Sequence, residues 1–293
     1  MNLPRLPFLP PYNFAGIEGK DSSLEKARFV VLPVPYEATT TYVPGTRRGP
    51  SAILEASRMM ELYDEEIGKE ISSFGIHTLP SLDTAAAGPE EMVGLVRDAV
   101  SWLVSMGKTV ITLGGEHTIT VGAVTAISPS CPELSVLHLD AHTDLRDTYQ
   151  GSPFSHACCM RRVVESLPVT HVGIRSMSKE EAEFVEKSRS IIVYARDFLT
   201  GKKKIADVVA ALTGKVYITI DMDVFDPSCV PAVGTPEPGG LGWYETNDIL
   251  RAVAKEKEVV GFDVVELCPI PGDVSSDYLA ARLIYKMIGY CSL

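Results

Sequence analysis

The stretch Leu134–Asp144 reads LSVLHLDAHTD, an apolar β-strand pattern that runs directly into acidic and histidine side chains. Similar short apolar runs recur along the chain and alternate with longer helical patterns. Near-continuous apolar strands are typical of a sheet that is covered on both faces. The alternation therefore predicts an α/β fold with a mainly parallel central sheet. Strands are predicted at residues 29–32, 109–113, 134–139, 171–174, 191–194, 216–220 and 259–264.

The length of the chain and its helix signals predict one domain. A helix is expected to begin at Pro89 and the last one near Ser275, and no linker, repeat or low-complexity tract separates the strands. A chain of 293 residues is long enough to bury one large core without disulfides. We expect residues 1–293 to form a single domain, with the proline-rich residues 1–25 as an extended N-terminal arm.

The composition argues against several classes of protein. Asp and Glu number 38 against 27 Lys and Arg, and the formal net charge of −11 opposes binding to nucleic acid. The six cysteines show no C-x-x-C spacing, and no apolar run approaches the roughly 18 residues of a spanning helix. The N-terminus also lacks a signal-peptide pattern. We therefore expect a cytoplasmic protein with reduced thiols and no membrane partner.

Acidic and histidine side chains follow three of the predicted strands. They are His117 after residues 109–113, Asp140, His142 and Asp144 after residues 134–139, and Asp221 and Asp223 after residues 216–220. Because ligands bind beyond the carboxyl ends of parallel strands, all three segments are expected at one edge of the sheet. Side chains alternate along extended backbone, so residues two apart within a segment point the same way. The six side chains are therefore expected to converge.

The charge of this cluster predicts a metal site. Four carboxylates that lie close together repel one another unless positive charge lies among them, and two divalent cations would neutralise them. An oxygen-rich set with two imidazoles suits a hard ion such as manganese better than a structural zinc. We predict two Mn²⁺ ions. His138 is interpreted as a core or ligand-supporting histidine, and His77 and His171 as structural residues.

Six stretches of the chain resemble the signature motifs of the ureohydrolase (arginase/agmatinase) family, and the likeness runs from about Phe29 to the C-terminus. They are residues 44–50, 114–117, 140–144, 221–227, 234–240 and 263–266. The resemblance implies the same six metal ligands, a pair of manganese ions and a three-layer α/β/α sandwich. It also implies a homo-oligomer, commonly a trimer or a hexamer.

The resemblance further implies a reaction. The two ions activate water for attack on a guanidinium carbon, and the products are urea and an amine. Asp144 takes a proton from the attacking water and passes it toward the leaving nitrogen, while Glu266 pairs with the planar guanidinium. His156 occupies the position of the family's proton-shuttling histidine.

The expected substrate is agmatine, with putrescine and urea as products. Residues 145–154 read LRDTYQGSPF, which resembles the agmatinase version of this segment rather than the Asn- and Ser-bearing version of arginases. Glu237 stands where arginases tend to be apolar, so Glu237 or Asp147 is expected to attract a distal ammonium group. Residues 157–160, ACCM, depart from the agmatinase pattern. N1-aminopropylagmatine, which would give spermidine and urea, is therefore an alternative, with guanidinobutyrate after it.

Two other classes of protein remain as alternatives. A metal-dependent deacetylase of the wider superfamily typically uses one zinc and a different ligand set. A non-catalytic scaffold normally loses ligands or the shuttle histidine. The presence of all six ligands and of His156 argues against both.

Overall fold

A computed structural model describes residues 9–19 and 22–293 of the chain. Its strands are β1 (Phe29–Val34), β2 (Tyr63–Asp64), β3 (Lys69–Glu70), β4 (Ile76–Thr78), β5 (Thr109–Gly114), β6 (Leu134–Leu139), β7 (Val169–Ile174), β8 (Ile191–Tyr194), β9 (Lys215–Asp221) and β10 (Glu258–Val265). Eight of them form one sheet in the order β4-β1-β5-β10-β9-β6-β7-β8, and each pair is parallel. The hairpin of β2 and β3 is antiparallel. The predicted mainly parallel sheet is confirmed.

Helices cover both faces of this sheet. They are α1 (Gly49–Ser57), α2 (Pro89–Ser105), α3 (Ile119–Ile127), α4 (Cys159–Val164), α5 (Lys179–Val185), α6 (Ala195–Leu199), α7 (Ile205–Ala211), α8 (Trp243–Glu256) and α9 (Ser275–Tyr290). One apolar cluster joins the sheet to α1, α7, α8 and α9, and a second joins it to α2, α3 and α4. The fold is a three-layer α/β/α sandwich. Within the described ranges, no helix has both the length and the apolar character that a membrane crossing requires.

Strand β1 shows why the strands read as near-continuous apolar runs. Phe29 and Val31 pack into the cluster that contains α8 and α9. Val30, Leu32 and Val34 point to the other face and pack into the cluster that contains α2 and α3. Both sets are buried, because a strand that is covered on two faces has no side for polar residues.

Part of the predicted N-terminal arm lies against the body of the protein. Phe14 is buried, and the backbone N–H of Ala15 donates to Oγ of Ser57 at 2.9 Å. Residues 14–16 form a short 3-10 helix. Residues 1–8, 20 and 21 of the arm lie outside the described residues. The single domain and the extended arm stay predictions.

Candidate active site

His117 stands at the centre of one half of the predicted ligand cluster, just after β5. Its Nδ1 lies 3.2 Å from Oδ2 of Asp140 and 3.2 Å from Oδ2 of Asp144. Oδ2 of Asp221, at the end of β9, lies 3.4 Å from the same nitrogen. All four residues are buried. Three strand ends thus bring one imidazole and three carboxylates into contact.

His142 stands at the centre of the other half of the cluster. Its Nδ1 lies 3.0 Å from Oδ2 of Asp223 and 3.6 Å from Oδ1 of Asp140. Asp140 therefore belongs to both halves. Two groups of side chains have candidate ligand atoms that all lie within 4.8 Å of one another. The first group is His117, His138, Asp140 and Asp144, and the second is Asp140, His142 and Asp223. The six predicted ligands do converge, in an arrangement that offers two neighbouring cation positions.

The hydrogen bonds of His117 show that these residues fit bound cations. Its Nε2 lies 2.9 Å from Oγ1 of Thr219, whose hydroxyl donates to Asp263 at 2.6 Å. The Thr219 oxygen can therefore only accept from His117, so Nε2 carries a hydrogen, and in the neutral ring Nδ1 is a bare lone pair. This Nδ1 is buried and has no hydrogen-bond partner. A lone pair that faces carboxylate oxygens requires positive charge between them, and a metal ion supplies that charge as a proton does.

The pKa values of the cluster point the same way. Burial and the charges of Asp223 and Asp140 raise the pKa of Asp221 well above its usual value. Burial alone would lower the pKa of His117, but Cys159 and the nearby carboxylates raise it well above its usual value. Both shifts show that added positive charge at this position is electrostatically favoured.

Asp144 and Glu266 both adopt left-handed backbone conformations, with φ of 52° and 63°. Such a conformation in a residue other than glycine costs about 1–3 kcal/mol and clusters at functional sites. A backbone hydrogen bond holds each of these two residues. The N–H of Glu266 donates to the carbonyl of Gly115, and the N–H of Arg161 donates to the carbonyl of Asp144. The chain therefore bends sharply at the two carboxylates that the resemblance makes catalytic.

Glu266 follows β10 and lies directly beside the ligand cluster. Its Oε1 accepts a hydrogen bond from the backbone N–H of His117 at 2.7 Å. Burial and the carboxylate of Glu116 raise the pKa of Glu266 well above its usual value. A cation such as a guanidinium next to Glu266 would offset that unfavourable environment.

A pocket of about 250 Å³ opens over the cluster, and Asp144, His156 and Glu266 all line it. His156 belongs to the wall, where its Nδ1 lies 3.1 Å from Oγ1 of Thr39. The ring of Tyr149 meets the ring of His156 edge-on at 6.3 Å between centroids. The three predicted catalytic residues therefore share one cavity with the ligand cluster.

The two predicted substrate-binding acids are placed differently. Oε1 of Glu237 lies 3.9 Å from Nε2 of His142, which lines the pocket. Asp147 is 59% exposed and pairs with Arg162 at 2.9 Å and with Arg161 at 3.7 Å. The structure thus brings Glu237 to the edge of the site and holds Asp147 in surface ion pairs.

The histidines outside the ligand set also have defined partners. Nε2 of His138 lies 2.8 Å from Oδ2 of Asp140, and its Nδ1 lies 2.8 Å from Nδ1 of His171. His138 therefore contacts Asp140, one of the predicted ligands. Nδ1 of His77 lies 2.7 Å from the carbonyl of Ser22, far from the cluster.

Arg175 is a site residue that the sequence reasoning missed. It follows β7, and its guanidinium donates to the main-chain carbonyls of Asp223 at 2.6 Å and of Phe225 at 3.2 Å. It also donates to the carbonyl of Glu237 at 2.8 and 3.2 Å. Its position directly after an apolar strand is the available signal, but an arginine is not a metal ligand and so does not stand out beside the acids and histidines at the other strand ends.

Glu181, in the first turn of α5, was missed as well. Its Oε1 accepts from the Thr143 hydroxyl at 2.8 Å and from the Leu145 N–H at 3.0 Å. Its Oε2 accepts from the N–H of Ser178, which closes a capping box. Glu181 therefore holds the side chain of Thr143 and the backbone of Leu145, the two neighbours of Asp144. In sequence, it resembles any acidic residue at a helix start.

Comparisons with known proteins agree with this geometry. The profile described as the arginase family matches residues 27–289. N1-aminopropylagmatine ureohydrolase of Synechocystis sp. is 43% identical over 277 residues, which cover 92% of this chain and 90% of the relative. Agmatinase of Pyrococcus horikoshii is 37% identical, over 91% and 93% of the two chains. The crystal structure of the agmatine ureohydrolase of Thermoplasma volcanium matches with a TM-score of 0.85, at 33% identity and with 93% of each chain covered.

Proposed function

The chain belongs to the arginase family and is an agmatinase-type ureohydrolase, and we propose that it hydrolyses a guanidine whose far end carries an ammonium group. One observation supports this most directly. Glu266, a buried carboxylate with a raised pKa, lies beside a cluster that fits two cations. The N–H of His117 holds one carboxylate oxygen of Glu266. Since Glu266 lines the pocket, its other oxygen is available to a guanidinium.

We propose that the cations are two Mn²⁺ ions, held by His117, Asp140, His142, Asp144, Asp221 and Asp223. The donor set supports this choice, since it offers four carboxylates, two imidazoles and no thiolate. When bound, the ions would supply Lewis-acid activation of water near neutral pH.

The protein's own residues would orient the substrate and move protons. Glu266 would align the guanidinium plane, so that its carbon faces the cluster. Asp144, fixed by its left-handed backbone, would accept a proton within the cluster. His156 would deliver a proton to the leaving nitrogen from the pocket wall.

N1-aminopropylagmatine is the substrate that we place first. The Synechocystis relative of that name is 43% identical, and two from Thermus thermophilus are 41% identical. Agmatine, the expectation from sequence alone, is the second candidate, since the Pyrococcus horikoshii agmatinase is 37% identical over nearly the whole chain. Both compounds carry a distal ammonium that Glu237, near His142, would attract.

The test is urea release after manganese loading, with kcat/KM measured for N1-aminopropylagmatine, agmatine and guanidinobutyrate. We expect the two cationic compounds to exceed guanidinobutyrate and N1-aminopropylagmatine to lead. The control D140A removes the carboxylate common to both cation positions and should abolish urea release. No urea from any guanidine with the wild-type enzyme would contradict the proposal. Metal analysis showing one zinc per chain would favour a deacetylase-like enzyme instead.

We propose a cytoplasmic homo-oligomer, a trimer or a hexamer, on the basis of family membership. Light scattering on the metal-loaded protein tests this by comparing the particle mass with multiples of 31.8 kDa. A monomeric mass at working concentration would contradict it.

A further inference from the structure

Four hydrogen-bond donors converge on the buried carboxylate of Glu116, the residue before His117. Its Oε2 accepts from the backbone N–H groups of Ala38 at 2.6 Å and of Thr39 at 2.7 Å. Its Oε1 accepts from the hydroxyl of Thr39 at 2.8 Å and lies 2.8 Å from the hydroxyl of Thr118, whose one hydrogen also faces the carbonyl of Phe154 at 3.0 Å. Glu116 has no exposed surface. Both oxygens therefore meet hydrogen-bond donors, so the Glu116 carboxyl group acts as an acceptor toward Thr39.

This arrangement determines the direction of the Thr39 hydroxyl. Its hydrogen points at Oε1 of Glu116, so its lone pairs face the opposite side. There the Thr39 oxygen accepts from the backbone N–H of His156 at 2.9 Å and lies 3.1 Å from Nδ1 of the same residue. Since Thr39 has no hydrogen left to give, Nδ1 of His156 must carry the hydrogen of this bond.

The other neighbours of the His156 ring are compatible with this tautomer. Oγ of Ser155 is farther from Nδ1, at 3.4 Å, and its oxygen can also accept. Oγ1 of Thr41 lies 3.5 Å from Nε2, and its hydroxyl can donate there. Thr41 and His156 both line the pocket. A bare Nε2 is thus placed at the pocket wall, where a proton has to be taken up and released.

We propose that Thr39 and Glu116 are positioning residues for His156: they fix the ring with its hydrogen on Nδ1 and with Nε2 free for proton transfer. The proposal rests on the proposed role of His156 as the proton shuttle. The chain of hydrogen bonds from Nδ1–H of His156 runs through the Thr39 hydroxyl and ends on the Glu116 carboxyl group. A carboxylate that orients a histidine directly serves the same purpose in other hydrolases.

Matched variants of Thr39 test the hydroxyl itself. T39V keeps the shape of the side chain and removes the hydroxyl, whereas T39S keeps the hydroxyl and removes a methyl group. We expect T39V to lower kcat about 10- to 100-fold, with little change in KM or in metal content. T39S should stay close to the wild-type enzyme. A T39S enzyme as slow as T39V, or a T39V enzyme with wild-type kcat, would overturn the proposal.

A double-mutant cycle separates positioning from a general structural role. If Thr39 acts through the imidazole, T39V added to H156N should cause no further loss of kcat. An equal loss in the H156N and wild-type backgrounds would assign Thr39 to the loop structure instead and overturn the proposal.

Neutron diffraction from crystals of the metal-loaded wild-type enzyme tests the tautomer without any assay. We expect deuterium on Nδ1 of His156 and the Thr39 deuteroxyl directed at Glu116. Deuterium on Nε2 with a bare Nδ1 would overturn the inference, even if the enzyme releases urea. Absence of urea from every guanidine would instead refute the proposed function and leave this tautomer test intact.

Discussion

The guanidinium of Arg175 donates two hydrogen bonds to the main-chain carbonyl of Glu237, at 2.8 and 3.2 Å. The same side chain donates to the carbonyl of Asp223 at 2.6 Å. One cation therefore joins the turn that carries Asp223, a predicted metal ligand, to the loop that carries Glu237. Substrate attraction and metal binding are expected to depend on this single side chain.

Replacing Arg175 by methionine leaves partly buried carbonyls without donors, and each such loss costs about 1–3 kcal/mol. We expect R175M to lower the Tm of the metal-loaded enzyme, to weaken metal binding and to raise KM. R175K should be intermediate, because an ammonium reaches fewer carbonyls than a planar guanidinium. Tm, metal content by mass spectrometry and KM measure these effects.

The control for Arg175 is R189K, since Arg189 is exposed. R189K should leave all three quantities unchanged. A R175M enzyme with wild-type metal content and KM would show that the Arg175 contacts do not organise the site.

Removal of metal should destabilise the wild-type chain, because burial and the charges of Asp223 and Asp140 disfavour the ionised form of Asp221. We expect a chelator to lower its Tm, since bound ions stabilise by their binding free energy. D221N removes one of the repelling charges. It should therefore lose metal affinity while raising the Tm of the chelated protein above that of the chelated wild type. Differential scanning calorimetry with and without chelator measures both effects.

The control for D221N is D147N, a neutralised carboxylate outside the cluster. The Tm of D147N in chelator should match that of the wild type. If D221N were less stable than the wild type in both states, repulsion among the carboxylates would not be what the metal relieves.

A second buried charge cluster determines the dependence of stability on pH. Nζ of Lys286, on α9, lies 3.0 Å from Oδ2 of Asp64 and 3.0 Å from Oε2 of Glu66. Burial alone would raise the pKa of Asp64, but the N–H of Ile67 and the Lys286 ammonium lower it below its usual value. A lowered folded-state pKa stabilises the protein above the unfolded pKa of about 4, and this contribution is lost as pH falls through the folded value.

Replacement of Lys286 by methionine leaves buried Asp64 with only Arg282, at 3.8 Å, as a cationic partner among the described residues, which costs at most about 3–5 kcal/mol near neutral pH. The difference in unfolding free energy between wild type and K286M should shrink as pH falls and Asp64 becomes protonated. Urea unfolding at several pH values measures it. The control K179M removes a lysine that is 91% exposed in an ion pair with Glu183, and such a change is worth at most about 1 kcal/mol. A deficit of K286M that is independent of pH would contradict the charge argument.

The strands and the convergence of the six predicted ligand side chains could be predicted from sequence, because both depend on local patterns. An apolar run such as residues 134–139 marks a buried strand, and the polar residues after it must lie at the carboxyl edge. The reason for convergence was only partly right. Asp144 reaches the cluster through a left-handed backbone, and Asp223 lies in a 3-10 helix over Met222–Val224 rather than in extended chain.

The residues that position the site could not be predicted, because their contacts join side chains to distant main chain. Arg175 binds the carbonyl of Glu237, 62 residues away, and Glu116 binds the N–H of Thr39, 77 residues away. Because every residue has a main-chain carbonyl, and nearly every one an N–H, the sequence does not show which of these groups a given side chain will bind. Only the packing of neighbouring strand ends determines which loops meet.

Glu237 is expected to attract the ammonium of the substrate, whereas Asp147 is held by two arginines. We expect E237Q to raise KM for agmatine and N1-aminopropylagmatine with a smaller effect on kcat, because attraction between charges near a surface is worth about 1 kcal/mol. D147N should change KM little. Steady-state kinetics at low and high salt measure this, since salt screens the interaction. Unchanged KM in the double variant E237Q/D147N would refute a role for either acid.

Gly115 allows the loop after β5 to press against the loop after β1. A Cβ at residue 115 would lie 2.0 Å from the carbonyl oxygen of Tyr36, so the backbone of one of the two loops would have to move. The N–H of Glu116 also donates to that carbonyl at 2.9 Å. G115A must therefore separate the two loops and displace Glu116 from Thr39, so we expect reduced metal content and a loss of stability of about 1–3 kcal/mol.

Gly94, within α2, gives the matched control for G115A, because a Cβ there meets no atom within 4 Å. G94A should stabilise the protein by about 1 kcal/mol, since alanine favours helix over glycine. Both variants add one methyl group, at a crowded position in G115A and at an open position in G94A. Chemical unfolding and metal analysis measure the effect of each. If G115A bound metal and unfolded like the wild type, close approach of the two loops would not be required, and the dependence of His156 on Glu116 would lose its structural basis.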